Sequence, residues 1–176
     1  MRQVILIAHN IRSCHNVGSL LRTAEGLGVN HVYLSGYTPY PKMEQDMRLP
    51  HLVTKIHRQI HKTALGAEQT QAWSHIDDIV VLLNDLRGQG FTLAAVEQAA
   101  GATPLPKYIA PQKLALLVGR EVEGVEPEVL KQMNVTLEIP MFGQKESFNV
   151  AQAAAIALYH VTFASSTWAV VSSRKA

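Results

Sequence analysis

The chain has 176 residues and a formal net charge of +2, with 47% hydrophobic and 17% charged residues, the composition of an ordinary soluble globular protein. Its longest apolar runs are far too short to span a bilayer, and no signal-peptide pattern opens it. Cys14 is the only cysteine, which excludes an internal disulfide and agrees with a cytoplasmic location. The mildly basic charge permits an anionic partner such as RNA without requiring one.

The first elements predicted are a strand, a helix and a second strand. Val4–Ala8 is a continuous apolar run, as expected of a strand buried on both faces. Apolar residues at helical spacing predict a helix from about Val17 to Gly26, with Gly28 as its stop. His31–Ser35 is the second predicted strand.

The middle of the chain predicts a loop and two helices. Gly36–Pro50 is rich in proline and is expected to be a loop. Leu52–Leu65 predicts an amphipathic helix with several basic residues, ending at Gly66. Asp77 is the predicted N-cap of a helix over Ile79–Arg87. No element is assigned between these two helices.

Three further buried strands are predicted in the second half. They are Phe91–Val96, Leu114–Val118 and Val135–Ile139, and the segment between the first two is expected to be a loop. Pro127 suits the first position of a short helix over Glu128–Met133.

An alanine-rich helix from Val150 to about Val161 completes the predicted core, and a helix so small and apolar has to be enclosed by other elements. The tail, Thr167–Ala176, receives no assignment. Strands that alternate with helices predict an α/β fold with a mainly parallel sheet and helices on both faces. We expect a single domain over residues 1–176.

The stretch Ile139–His160 is typical of a binding site. A strand end is followed by a polar loop with Ser147 and Asn149, and then by a helix start with free backbone N–H groups. In a parallel sheet, ligands bind outside the carboxyl ends of the strands. Dinucleotide and P-loop fingerprints do not occur.

Taken singly, the polar residues have ordinary structural explanations. Arg22 follows Asn16 by six residues and is expected on the same side of one helix, where a surface arginine is common. Glu121 is a typical loop charge, and Ser147 and Asn149 are typical caps. The histidines lack partners at metal-ligand spacing, so no metal site is predicted.

Three blocks together resemble the SpoU/TrmH family of the SPOUT class of RNA methyltransferases. They are Asn10–Val29, Leu116–Leu130 and Ile139–His160, and they occur in the family's order. The resemblance implies a deep C-terminal trefoil knot, S-adenosyl-L-methionine as the methyl donor, and a homodimer with its active site near the subunit boundary. It also implies methylation of a ribose 2′-hydroxyl in tRNA or rRNA.

The resemblance also implies roles for individual residues. The residues that match the family's catalytic positions are Asn16, Arg22, Glu121, Ser147 and Asn149. Those that would enclose the cofactor are Val96, Gly119, Ile139, Met141, Ser147 and Phe148. Arg22 is the family's candidate for activating the hydroxyl or holding a phosphate. A guanidinium is effectively always protonated, which favours phosphate binding.

Two alternatives stay open at this stage. A knotted methyltransferase could modify a base, although Arg22 with Asn149 argues against it. A catalytically silent RNA-binding protein would be expected to have lost Arg22, Glu121 or Asn149, and all three are present. Further basic residues are candidates for phosphate contacts: Arg12, Lys42, Arg48, Lys55, Arg58 and Lys62.

Overall fold

A computed structural model describes residues 2–164 of the chain, so the tail Thr167–Ala176 lies outside the described residues. Its strands are β1 Gln3–His9, β2 His31–Ser35, β3 Trp73–Ile76, β4 Thr92–Val96, β5 Thr103–Pro104, β6 Lys113–Val118 and β7 Val135–Glu138. Its helices are α1 Cys14–Leu27, α2 Pro50–Ala64, α3 Ala67–Thr70, α4 Ile79–Gly88, α5 Pro127–Leu130 and α6 Val150–Phe163. A single 3₁₀ turn covers Leu105–Lys107.

The strands form one seven-stranded sheet in the order β3-β2-β1-β6-β4-β7-β5, and every pairing is parallel. β1 and β6 lie near its centre and are buried along almost their whole length, which is why both are continuous apolar runs. The predicted mainly parallel α/β sheet is confirmed.

The helices cover both faces of this sheet, as predicted. One hydrophobic cluster joins the apolar residues of α1, α2 and α6 to one face, and a second joins those of α4 and α5 to the other. α6 is less enclosed than expected, because Ile156 is 39% and Tyr159 is 53% exposed. The knot stays a prediction.

α1 begins three residues earlier than predicted. The side chain of Ser13 caps it by accepting a hydrogen bond from the backbone N–H of Asn16 at 3.2 Å. The polar residues 14–16 look turn-like in sequence, yet they form the first turn because that cap is available. Gly28 ends the helix with φ at +69°, as expected.

Two short strands and one cap differ from the prediction. β3 has four half-buried residues and β5 has two, one of them a proline, so neither contains an apolar run. Both lie at sheet edges, where short strands and proline are tolerated. The N-cap of α4 is Asp78, not Asp77, because the Asp78 carboxylate accepts from Val80 N and Val81 N.

No helix within residues 2–164 is long and apolar enough to cross a membrane.

Candidate active site at the carboxyl ends of the strands

A cavity of about 260 Å³ lies where β4, β6 and β7 end. These strands are neighbours in the sheet, so the loops that follow them meet at one edge. The loop before α6 forms the outer wall. Small-molecule sites span roughly 300–1,000 Å³, and this cavity lies just below that range. Its wall includes the exposed residues Ser147 and Phe148, so its size depends on a surface loop.

Most of the residues predicted to enclose a cofactor border this cavity. They come from three strand ends and the loop before α6: Val96, Gly119, Ile139, Ser147 and Phe148. Met141, the sixth, is half buried in the loop after β7 but is not among the lining residues. Five of the six predicted residues therefore come together at one cavity, and Met141 is the one that the structure does not place on it.

Gly119 is required by the loop that follows it. The backbones of Arg120 and Gly124 exchange two hydrogen bonds of 3.2 Å, which folds the loop back over Gly119. A Cβ on Gly119 would lie 2.7 Å from Val125 Cγ2 and 2.8 Å from the Gly124 carbonyl. The absence of a side chain thus permits this loop packing.

The cavity lining carries an excess of negative charge. Four carboxylates line it, those of Glu97, Glu121, Glu123 and Glu146, against the single cation Arg120. Glu123 is ion-paired with Arg12 at 2.8 Å, which leaves three carboxylates against Arg120 and still an excess of negative charge. Such a lining favours a cationic ligand and disfavours a phosphate.

Glu121 is the centre of a hydrogen-bond network beside the cavity. Its carboxylate accepts from the backbone N–H of Arg12 and of Ser13, each at 3.1 Å. It also accepts from Asn16 Nδ2 at 3.0 Å. Burial acts to raise the pKa of Glu121, but these donors together outweigh it and lower the pKa. Glu121 is therefore an ionised acceptor that holds the start of α1.

Asn16 and Asn149 extend this network to α6. Asn149 Nδ2 donates to Asn16 Oδ1 at 3.2 Å, and Asn149 Oδ1 accepts from Ala151 N at 2.9 Å as the N-cap of α6. One predicted residue from each of the three blocks thus joins a single hydrogen-bonded chain. Ser147 lies on the rim of the cavity, exposed to solvent.

Arg22 is not part of that chain. It is exposed and borders a separate shallow depression with Glu25, Thr70 and residues 64–67, at the carboxyl end of α2. Helical geometry explains the separation, because six residues at about 100° each turn Arg22 by about 600°, leaving it about 120° around the axis from Asn16. The expectation that both lie on one side of the helix was wrong.

A second polar cluster lies at the ends of β1 and β2, and the sequence did not indicate it. His9 is 4% exposed, and its Nδ1 lies 2.9 Å from Ser35 Oγ. Asn10 Nδ2 lies 3.1 Å from His9 Nε2 and donates to Glu126 Oε1 at 2.8 Å. This pattern suits a neutral imidazole with its proton on Nδ1.

Charges around His9 agree with a neutral ring. Burial lowers the pKa of His9, Glu126 acts to raise it, and Arg120 acts to lower it, with a lowered pKa as the result. Glu126 Oε2 lies 3.5 Å from His9 Nε2. The cluster ties the loop that carries Glu121 to the end of β1. Residues 9 and 126 are far apart in sequence, and the only local signal is the polar pair His9–Asn10 directly after a buried strand.

Among residues 2–164, no group of three or more His, Cys, Asp or Glu side chains could hold a metal ion.

Comparison with known proteins connects this site to one family. Residues 3–159 match the SpoU rRNA Methylase family. A protein of Staphylococcus aureus (strain COL), whose name assigns it to the TrmH family of tRNA/rRNA methyltransferases, is 27% identical over 157 residues. The aligned part is 89% of this chain but 57% of that protein, so the chain spans little more than half of its relative's length.

Solved structures share the fold. An AdoMet-bound rRNA methyltransferase from Sinorhizobium meliloti aligns with a TM-score of 0.75 and 19% identity, over 90% of this chain and 55% of that chain. A protein studied for 2-OH methylation of C/U34 on tRNA aligns with a TM-score of 0.69 and 23% identity, over 91% of this chain and 94% of that chain. At these identities the likeness establishes the fold.

Proposed function

Because the chain belongs to the SpoU rRNA Methylase family, we propose that it transfers a methyl group from S-adenosyl-L-methionine to a ribose 2′-hydroxyl of tRNA or rRNA. The observation that carries this proposal is the convergence of the three blocks. Asn16, Glu121 and Asn149 come from separate blocks and form one hydrogen-bonded chain beside the cavity. The AdoMet bound to the Sinorhizobium meliloti protein and the 2-OH methylation studied in the tRNA-modifying relative support the same chemistry.

The lining of the cavity suits S-adenosyl-L-methionine in its apolar walls and its charge. Val96, Ile139 and Phe148 supply apolar walls for a flat base. The excess of carboxylates in the lining favours a ligand with a sulfonium and an ammonium group, whose net charge is positive. When bound, this cofactor supplies an electrophilic methyl group on sulfur.

The chain's own residues would position the acceptor hydroxyl. The Asn16 side chain donates to Glu121 and accepts from Asn149, which caps α6. These two hydrogen bonds resist small shifts of both amide groups. Ser147, exposed at the cavity rim, would donate or accept a hydrogen bond at the ribose. Arg22 would bind the neighbouring phosphate as a cation and stabilise developing charge, because it does not lose its proton.

A homodimer is part of the proposal. Within one chain, Arg22 and the Glu121 network lie on different sides of α1. In the proposed dimer, Arg22 of one copy would approach the Glu121 network of the other copy. The exposed apolar residues Phe142, Ile156 and Tyr159 give a surface that such a contact would cover. Mixing Arg22→Ala with Glu121→Gln chains tests this, since inactive parents should form active mixed dimers. Sites built within one chain would instead leave the mixture inactive.

The function itself is tested by titration calorimetry with S-adenosyl-L-methionine, followed by transfer of tritiated methyl to unfractionated tRNA and rRNA. We expect binding, incorporation into one RNA class, and loss of incorporation in Arg22→Ala with cofactor binding retained. No binding of S-adenosyl-L-methionine would overturn the proposal. Binding without incorporation into either pool would favour the silent RNA-binding alternative.

A further inference from the structure

The outer face of α2 carries a stripe of basic side chains. Its members follow the spacing i, i+4, i+7 and i+11, are all exposed, and are His51, Lys55, Arg58 and Lys62. At about 100° per residue this spacing keeps them within one narrow face, on the side opposite the buried residues Val53, Ile60 and Ala64. The stripe is about 16 Å long at about 1.5 Å per residue.

The cations of this stripe are not neutralised. α2 contains no aspartate or glutamate. Within residues 2–164, no carboxylate lies within ion-pair distance of Lys55, Arg58 or Lys62. Like charges spaced along a helix repel one another. A run of cations without acidic neighbours is therefore unfavourable for the isolated chain and suits an anionic partner.

Two other candidates for phosphate contacts have protein partners instead. Arg48 donates to the Asp46 carboxylate at 2.8 and 2.5 Å, and its guanidinium lies 3.5 Å from the centre of the Tyr40 ring. These hydrogen bonds lower the pKa of Asp46. Arg12 pairs with Glu123 at 2.8 Å. Arg48 thus holds the loop that leads into α2. Among residues 2–164, Lys42 in that loop and the lysines and arginine of the stripe have no carboxylate within ion-pair distance.

α2 is packed closely on α1, so the stripe has a defined position. A Cβ on Gly18 would lie 2.2 Å from the Ile60 carbonyl oxygen and 2.2 Å from Thr63 Oγ1, so glycine permits the helices to touch. Thr63 Oγ1 also donates to the His15 carbonyl at 2.8 Å. α1 in turn carries Asn16 at its first turn.

The stripe ends just before the depression that Arg22 borders. Residues 64–67, which begin two residues after Lys62, line that depression together with Arg22 and Glu25. Since Arg22 is the proposed phosphate clamp, the cations of α2 extend its positive charge away from the reacting ribose.

We propose that the outer face of α2 binds the phosphate backbone of the RNA substrate and delivers it to Arg22. This inference rests on the proposed function for the identity of the polyanion. The charge of the cofactor cavity, which disfavours phosphate, leaves RNA to be bound by a separate surface, and α2 supplies it. Backbone contacts of this kind are independent of base sequence and strongly dependent on salt.

The test compares two variants with the same loss of charge. Lys55→Gln/Lys62→Gln removes two stripe cations, and Lys107→Gln/Lys131→Gln removes two exposed lysines elsewhere. Affinity for unfractionated tRNA and rRNA is measured without cofactor over a series of salt concentrations. We expect the stripe variant to bind about tenfold more weakly and to reduce the salt slope by about 1.5, since each phosphate contact contributes about 0.7–0.9. The control pair should keep the wild-type slope.

Other outcomes overturn the inference. Equal weakening by the control pair would mean that only net charge matters, and unchanged binding by the stripe variant would place the RNA elsewhere. Anionic phosphatidylserine vesicles bound through the stripe, with no RNA binding, would identify a membrane surface instead. If the stripe substitutions weakened tRNA binding but the wild-type protein did not bind S-adenosyl-L-methionine, the proposed function would be contradicted. The inference about α2 would remain.

Discussion

The cofactor cavity and the outer face of α2 have opposite charge. The cavity lining holds four glutamates and one arginine, whereas α2 has basic side chains and no acidic one. The two ligands of the proposed reaction also have opposite charge, since one carries a sulfonium and the other is a polyanion. Each region attracts one ligand and repels the other, so the chain separates them before they meet.

α1 connects these two regions. Its first turn is held by Glu121, which lies in the cavity lining, while Gly18, two residues after Asn16, lets α2 pack against it. Of the substitutions below, Glu121→Gln and Gly119→Ala disturb the cavity side, and Gly18→Ala disturbs the contact with α2.

The largest effect is expected for Glu121→Gln. The glutamine amide keeps one oxygen as an acceptor, but its NH2 group would face either Arg12 N–H, which donates to Oε2, or Ser13 N–H and Asn16 Nδ2, which donate to Oε1. Two donors would then meet, so the start of α1 would shift. We expect methyl transfer to fall by about 100-fold and the free energy of unfolding by about 1–2 kcal/mol, with RNA affinity unchanged. Transfer assays, urea unfolding and tRNA binding measure these three quantities.

Glu128→Gln is the matched control for that variant. Glu128 is exposed on α5 and does not line the cavity, so the same change of charge should leave transfer at the wild-type rate. If Glu121→Gln were equally active, the hydrogen-bond network would have no role in the reaction.

Gly119→Ala should affect the cavity and spare α2. Its Cβ would overlap Val125 and the Gly124 carbonyl, which forces the loop over the cavity to move. We expect about tenfold weaker binding of S-adenosyl-L-methionine by calorimetry and a loss of about 1–3 kcal/mol of stability. A Cβ on Gly88 would meet nothing within 4 Å, so Gly88→Ala should keep full cofactor affinity. Equal affinities for the two variants would contradict this account of the cavity.

Gly18→Ala should affect α2 and spare the cavity. The new Cβ would meet the backbone of α2, so α2 should move and the protein should lose about 1–3 kcal/mol of stability. Weaker tRNA binding with near-normal cofactor binding is the expected pattern. Gly26→Ala, in the same helix with open space around it, should instead gain about 0.5–1 kcal/mol in thermal or urea unfolding. A stable Gly18→Ala protein would show that the helices are not in close contact.

The smallest effect concerns pH and the buried His9. The pKa of His9 in the folded protein is lowered from the ordinary value of about 6.5. At acidic pH the unfolded chain therefore binds more protons than the folded protein does. The free energy of unfolding should therefore fall as the pH decreases from about 7.5 to about 5.5. Burial also lowers the pKa of His31, so His9→Gln should reduce this slope without removing it. Urea unfolding at several pH values that gives the wild-type slope for His9→Gln would contradict a neutral buried ring.

The fold could largely be predicted because its central strands are continuous apolar runs. β1, β2 and β6 are bounded by polar residues, and buried parallel strands have this pattern. β3 and β5 could not be predicted, because edge strands of four and two half-buried residues leave no such run. An apolar run thus marks the five strands inside the sheet but not the two at its edges, even though β7 is only partly buried.

The sequence identified several residues that the structure brings together, but not the directions in which their side chains point. Similarity of the three blocks identified Asn16, Glu121 and Asn149, and the structure joins them by hydrogen bonds. The same similarity grouped Arg22 with them, whereas helical rotation places Arg22 on another side of α1. The contact between His9 and Glu126 depends on tertiary structure and has no sequence pattern.

The central claim, methylation of a ribose 2′-hydroxyl, is tested most directly by the product nucleoside. The protein is incubated with S-adenosyl-L-methionine carrying a deuterated methyl group and with unfractionated tRNA or rRNA. The RNA is then digested to nucleosides and analysed by mass spectrometry, with Arg22→Ala as the inactive control. We expect the label on the ribose of one nucleoside, and none with Arg22→Ala. A label on a base would contradict the account.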